Sequence, residues 1–102
     1  SHTHAAEDME ARALAESRVD AERTTVATES ALAADSELLS ADERKAIDRA
    51  LADVRQYLDG DDRHALHAAT EALNRATEEF AARRMNRSVA QALTGRNVDA
   101  LG

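Results

Sequence analysis

The side chains that could in principle do chemistry lie mainly in the second half of this chain. His64 and His67, with Glu71 one helical turn later, would share one face of a helix and could offer a metal ion two imidazoles and a carboxylate. Their spacing matches no zinc-enzyme motif, and no fourth ligand is specified. We therefore interpret these three as surface residues and predict no metal site.

A cluster of basic residues is the second candidate. It consists of Arg83, Arg84 and Arg87, in a stretch with no acidic residue between Phe80 and Val98. The cluster could meet an acidic partner, or it could complement the negative end of a helix dipole. Nucleic acid is not expected, because no aromatic residues alternate with the arginines and the chain carries a net charge of −7.

A nucleophilic catalytic site would need a base within hydrogen-bond reach of the nucleophile and a group that orients the base. The sequence shows no such constellation, since helix caps or solvent account for hydroxyls such as those of Ser30, Ser36 and Thr70. The chain has no Cys and so cannot ligate an iron–sulfur cluster through thiolates. We predict no catalytic residue and no cofactor within this chain.

The composition predicts that helices position all of these residues. Ala occupies 24 of the 102 positions, Pro is absent, and Tyr57 and Phe80 are the only aromatic residues. No run approaches the about 20 apolar residues that a membrane-spanning helix needs. We therefore expect an all-α, soluble, cytoplasmic protein that does not bind a membrane.

A long first helix is predicted over residues 5–34, which would extend about 45 Å. Its apolar stripe is narrow and consists of Leu14, Ala21, Thr28 and Leu32. Met9, Val19 and Val26 lie off that stripe. We expect the first half of this helix to project, or to pack against something outside this chain.

The second helix is predicted to begin with a capping box formed by Ser40 and Glu43. Its buried stripe comprises Ile47, Ala50, Leu51, Val54 and Leu58. We expect Gly60 to end this helix in a left-handed conformation, within a tight turn at residues 59–61.

The third helix is predicted to be capped by Asp61 or Asp62. Its apolar stripe comprises Leu66, Ala69, Leu73, Ala76 and Phe80, and then slips in phase to Met85, Val89, Ala92 and Leu93. The slip suggests a bend or a new short helix near Arg83 and Arg84. We predict one helical unit over residues 1–95, with a bundle of three to four helices at 35–95, followed by a flexible tail at 96–102.

Several runs of residues resemble a known family. They are Asp8-Met-Glu-Ala-Arg-Ala-Leu-Ala-Glu16, Ala31-Leu-Ala-Ala-Asp35, Leu39-Ser-Ala-Asp-Glu-Arg44, Asp59-Gly-Asp-Asp62 and Phe80-Ala-Ala-Arg-Arg-Met85. Together they resemble the C-terminal helical lid of DnaK-type chaperones, the heat shock protein 70 family, and within it the HscA branch that serves iron–sulfur cluster assembly. The resemblance covers nearly the whole chain.

The resemblance implies an intact protein with an N-terminal ATPase domain that binds ATP and a β-sandwich that grips a peptide of an IscU-type scaffold protein. An HscB-type co-chaperone would stimulate ATP hydrolysis. The segment described by this sequence would then be a non-catalytic lid over the peptide groove, and its long helix would pack against the β-sandwich.

The resemblance also implies a latch between the long helix and the β-sandwich, formed by charged side chains. The matching residues here are Arg18, Asp20, Glu22 and Arg23, of which Glu22 aligns best with the latch acid of DnaK-like lids and Asp20 is an equal candidate. Alternatively, these residues form only near-neighbour ion pairs on a surface helix. An alternative function is a self-associating helical module that dimerises through the apolar residues of 5–28.

Overall fold

The computed structural model describes residues 2–101, with side chains described for residues 4–94. All regular elements in this part of the chain are helical. They are α1 (His2–Asp35), a short 3-10 helix (Ser36–Leu38), α2 (Ala41–Leu58) and α3 (Arg63–Leu101). The predicted all-α fold, a long N-terminal helix with a helical bundle, is confirmed.

Local capping sets where the two later helices begin. At the start of α2, Glu43 N–H donates to Ser40 Oγ (3.1 Å) and Ser40 N–H donates to Glu43 Oε1 (2.8 Å), which is the predicted capping box. At the start of α3, Asp62 Oδ1 accepts from the N–H of Ala65 (3.0 Å). Asp62, rather than Asp61, therefore caps α3.

The three helices pack side by side around a small aliphatic core. Contacts between Glu10 and Arg63 at one end, and between Asp35 and Arg84 at the other, show that α1 and α3 run in the same direction. Helix α2 lies antiparallel to both. The core comprises Ala21, Ala31, Leu32, Ile47, Ala50, Leu51, Val54, Leu66, Ala69, Leu73 and Phe80.

The α2–α3 turn differs from the prediction. Gly60 does not have a positive φ. Helix α2 ends at Leu58, Asp59 has right-handed helical angles (φ −92°, ψ 0°), and the N–H of Gly60 donates to the carbonyl oxygen of Tyr57 (3.2 Å). The predicted left-handed cap is therefore wrong, because the turn closes in a right-handed conformation that any residue can adopt.

The expected bend near Arg83 and Arg84 is also wrong, because α3 is continuous through both residues. No Pro or Gly interrupts residues 63–94, and contacts to the rest of the bundle hold the helix at Arg83, Arg84 and Arg87. The predicted tail, residues 96–102, lies outside the residues whose side chains are described and stays a prediction.

Candidate functional site

Helix α1 divides into two parts with different surroundings. Between Ala21 and Leu32 it contributes five buried residues, namely Ala21, Thr25, Thr28, Ala31 and Leu32. Over residues 4–20 no side chain is buried, and only Ala13, Leu14, Ser17 and Arg18 are even partly covered. The second part of α1 is therefore integrated into the bundle, whereas the first part rests on it loosely.

Two polar contacts tether the first part of α1 to the start of α3 and to the turn before it. Arg18 Nε donates to the carbonyl oxygen of Leu58 (3.1 Å), and Arg18 Nη2 donates to that of Gly60 (2.6 Å). Carbonyls at the end of a helix lack partners within the helix, so the Arg18 guanidinium caps α2. Further toward the N-terminus, both oxygens of the Glu10 carboxylate accept from Arg63 (2.9 and 3.3 Å).

The side of α1 that faces away from the bundle is exposed along its length. We call this surface the outer face, and define it as Met9, Arg12, Glu16, Val19, Asp20, Arg23 and Val26. Three of its members are apolar, and 70% of Met9, 55% of Val19 and 66% of Val26 are exposed. Exposed apolar patches rimmed by polar residues mark surfaces that contact other proteins.

The four predicted latch residues do not share one environment. Arg18 turns toward the bundle, where it caps α2. Asp20 and Arg23 lie on the outer face and border a shallow depression beside Val19. Glu22 is exposed on the flank between these two sides. Only Asp20 and Arg23 are thus placed for contact with a body that lies over the outer face.

The basic cluster of α3 meets acidic residues of its own chain. Arg83 donates to both oxygens of Glu43 (2.8 Å each) and to the carbonyl oxygen of Leu38 (2.9 Å). Arg84 Nε donates to Asp35 (2.8 Å), while Arg87 pairs with Asp35 (3.3 Å) and with Glu37. These contacts join α3 to the corner between α1 and α2. Their position in the middle of α3 shows that they do not serve its C-terminal dipole.

These ion pairs shift the protonation of the carboxylates. The hydrogen bonds from Arg83, and then that from the Ser40 N–H, lower the pKa of Glu43 to about 2. Hydrogen bonds from Arg63 lower the pKa of Glu10, and those from Arg87 lower the pKa of Glu37. In all three cases the contact with arginine favours the ionised form of the carboxylate in the folded chain.

The histidine pair stays at the surface. His64 and His67 are both exposed, and His67 Nε2 lies 4.0 Å from Glu71 Oε1. Within residues 4–94, no three His, Asp or Glu side chains come together in a way that would hold a metal ion. Of the helices in the described part of the chain, none has an apolar stretch of membrane-spanning length.

A shallow groove runs between α1 and α3, on the side away from α2. Its walls comprise Arg23, Thr24, Ala27, Thr28, Ala31, Asn74, Thr77, Phe80, Ala81 and Arg84. The groove has a volume of about 280 Å³, at the lower limit of the roughly 300–1,000 Å³ typical of small-molecule sites. Six of its ten lining residues are Ala or Thr, and none is an acid or a histidine.

Sequence reasoning missed the cap that Arg18 provides and the acids that meet the arginines of α3. Both arrangements join residues 40 to 52 positions apart in sequence, so no local pattern contains them. The one available signal was compositional, because the acids are concentrated before residue 63 and the arginine cluster lies after it.

Comparison with known proteins gives a family match over most of the chain. The family described as Hsp70 protein matches residues 1–86. Three similar proteins each carry the name chaperone protein HscA homolog. The one from Cupriavidus necator is 53% identical over 102 residues, which is all of this chain and 16% of that protein.

The homologue from Verminephrobacter eiseniae is 58% identical over 97 residues, which is 95% of this chain and 16% of that protein. That from a Janthinobacterium species is 58% identical over 92 residues, which is 90% of this chain and 15% of that protein. The chain thus spans about one sixth of the length of these relatives. The Cupriavidus match includes residues 87–102, which the Hsp70 family match does not reach.

Proposed function

The chain belongs to the Hsp70 family, and from that premise we propose that it is the lid of a peptide-binding domain in an HscA-type chaperone. The lid lies over the peptide groove and slows release of the bound peptide, while the chain itself performs no catalysis. A cover of this kind acts mainly on the dissociation rate. The observation that carries the proposal is the outer face of α1, where apolar and charged side chains lie exposed.

The two parts of α1 have different roles in the proposed lid. Residues 21–32 anchor the helix in the bundle, and residues 4–20 extend from it with no buried side chain. We assign the outer face to the contact with a β-sandwich domain that would precede this chain. Asp20 and Arg23 form the polar part of that contact, and Val19 forms the apolar part between them.

Arg18 then has an indirect role. Its two hydrogen bonds to Leu58 and Gly60 fix the position of α1 on the bundle, and so fix where the outer face points. Glu22 lies on the flank of α1 and contributes at the edge of the contact. Of the four latch residues expected from the family resemblance, two would touch the neighbouring domain directly and one would position them.

The wider setting is an extension of this proposal, based on the similarity to HscA homologues. We propose that the intact protein binds ATP in a separate domain, works in the cytoplasm with an HscB-type co-chaperone, and clamps a peptide of an IscU-type scaffold during iron–sulfur cluster assembly. The similarity to HscA homologues through residues 87–102, beyond the Hsp70 family match, supports this branch of the family.

The test is the release rate of a fluorescent peptide derived from an IscU-type scaffold. It is measured on the ADP-bound full-length protein, both intact and truncated before this segment. We expect faster release from the truncated protein, because the groove would be uncovered. Equal release rates from the two proteins would contradict the lid function.

A pair of substitutions tests the assigned face. Asp20→Asn removes a charge from the outer face, and Asp53→Asn removes one from the exposed side of α2. We expect Asp20→Asn to accelerate peptide release and Asp53→Asn to leave it unchanged. If both variants release the peptide at the rate of the unmodified protein, Asp20 is not part of the contact.

A further inference from the structure

An apolar stripe near the end of α3 contributes neither to the core nor to the outer face of α1. Its large members are Met85, Val89 and Leu93, which are 69%, 51% and 51% exposed. At about 100° per residue, Val89 lies on the opposite side of α3 from the buried Phe80. The phase slip in the sequence therefore does not bend the helix. It moves the apolar residues to the side that faces away from the bundle.

The spacing of this stripe is symmetric. Ala82, Met85, Val89 and Ala92 are exposed and follow one another at intervals of three, four and three residues. This is the alternation of a seam between two helices. Along the helix the four side chains are small, large, large and small. The pattern therefore reads the same from either end, and its midpoint is residue 87.

From this symmetry we propose that the stripe is a self-association surface, at which two copies of the chain pair antiparallel through α3. With the two-fold axis at position 87, Met85 of each copy faces Val89 of the other, and Ala82 faces Ala92. A surface that meets an identical surface about a two-fold axis must be self-complementary in this way. The proposal is independent of the lid function, because it uses a different helix.

The charges around the stripe permit this approach. Arg83, Arg84 and Arg87 are each paired with acids of their own bundle, on the side of α3 that faces away from the seam. Their positive charges are therefore largely neutralised before a second copy arrives. Between Phe80 and Val98 the sequence has no acidic residue that could repel its counterpart.

Leu93 lies at the edge of the seam, on the flank of α3 opposite to Ala81. A two-fold axis between antiparallel helices brings the same flank of each copy together, so Leu93 covers the edge of the seam and does not reach the groove between α1 and α3. The seam is short, and pairs that bury less than about 1,200 Å² are weak and transient, so we expect a reversible dimer.

Sedimentation equilibrium of the 102-residue chain over a range of concentrations measures the association. Val89→Glu places a charge in the seam, and Val26→Glu places one at a similarly exposed site on α1. We expect Val89→Glu to weaken dimerisation by about tenfold or more, because the charge would be desolvated without a partner, and Val26→Glu to leave it unchanged. Circular dichroism checks that both variants keep their helices.

Three results of that experiment would overturn the proposal: a chain that is monomeric at every concentration, a dimer that tolerates Val89→Glu, and a dimer broken by Val26→Glu. The last of these would move the interface to α1.

Disulfide trapping tests the direction of pairing, because the chain has no native Cys and each introduced Cys is unique. Met85→Cys and Val89→Cys variants are mixed and oxidised. We expect the mixed disulfide to form faster than either symmetric one. Faster symmetric disulfides would indicate parallel pairing, and rates no higher than that of a Val26→Cys control would indicate no pairing. Either outcome overturns the proposal.

Discussion

The two parts of helix α1 belong to one continuous helix but differ in what holds them. Residues 21–32 are held by burial of five side chains in the bundle. Residues 4–20 bury none, and two polar tethers, at Arg18 and Glu10, connect them to the start of α3 and the turn before it. Burial stabilises a helix through tertiary packing, whereas polar contacts near the surface contribute less. One helix can thus be an integral part of a bundle over one stretch and be held only by polar contacts over the next.

The largest expected change in stability comes from a matched pair of valine-to-alanine substitutions, one in each environment. Val54 is fully buried between the helices, and Val19 is 55% exposed on the outer face. We expect Val54→Ala to lower the free energy of unfolding by about 2–3 kcal/mol and Val19→Ala to change it by less than about 0.5 kcal/mol. Urea denaturation of this chain measures both. A comparable loss in the two variants would mean that the outer face already packs against something within this chain.

The second prediction concerns the tether at Arg18. Arg18→Ala removes two charge-assisted hydrogen bonds to the end of α2, and we expect it to reduce the free energy of unfolding by about 1–2 kcal/mol. The matched variant is Arg12→Ala, on the outer face of the same helix, for which we expect almost no change. Hydrogen exchange gives a second measurement, because residues 4–20 should exchange faster in Arg18→Ala than in the unmodified chain. Equal changes in the two variants would show that the hydrogen bonds from Arg18 to Leu58 and Gly60 add no stability in solution.

The division of α1 was partly predictable from sequence. The narrow stripe of Leu14, Ala21, Thr28 and Leu32 correctly indicated that the first half of the helix lacks an apolar face. The capping box at Ser40 and the apolar stripe of α2 were also predicted, because both are local patterns with periods that the backbone imposes. The family was recognised from runs of residues, and the match to the Hsp70 family confirms it.

The errors lie where distant residues decide the structure. The phase slip after Phe80 indicated a bend, since a straight helix would expose Met85 and Val89. Three arginines within about one turn of α3 meet Asp35, Glu37 and Glu43 and hold the helix straight through that point. Pairing over such distances in sequence depends on the packed arrangement of the helices. The role of Arg18 escaped prediction for the same reason.

A third prediction uses pH to compare the corner between α1 and α2 with the exposed flank of α1. The pKa of Glu43 is lowered to about 2, chiefly by its hydrogen bonds with Arg83. A carboxylate with a lowered folded-state pKa stabilises the fold above its unfolded pKa of about 4.5, and this contribution is lost as pH falls from about 4.5 toward 2. We expect Glu43→Gln to flatten the acid limb of a plot of the melting temperature against pH.

The control for that experiment is Glu22→Gln, at an exposed position on the flank of α1. This variant should keep the full acid limb between about pH 4.5 and 2. An unchanged slope in Glu43→Gln would show that the Arg83 contact is too mobile in solution to perturb the carboxylate. Glu10 and Glu37, whose pKa values are also lowered, would then remain as the sources of acid sensitivity.

The smallest expected effect tests the turn to which Arg18 is tethered. Because Gly60 has no positive φ, and an added Cβ would lie 3.6 Å from the Tyr57 carbonyl oxygen, alanine fits there without strain. Gly60→Ala also restricts the unfolded chain, so we expect a gain of about 0.4–1 kcal/mol in the free energy of unfolding, measured in urea. The carbonyl oxygen of residue 60 stays in place to accept from Arg18, and the two effects should therefore add when Gly60→Ala is combined with Arg18→Ala. A loss of stability in Gly60→Ala would instead indicate the left-handed turn that the sequence pattern predicted, because a residue with a side chain is strained in that conformation.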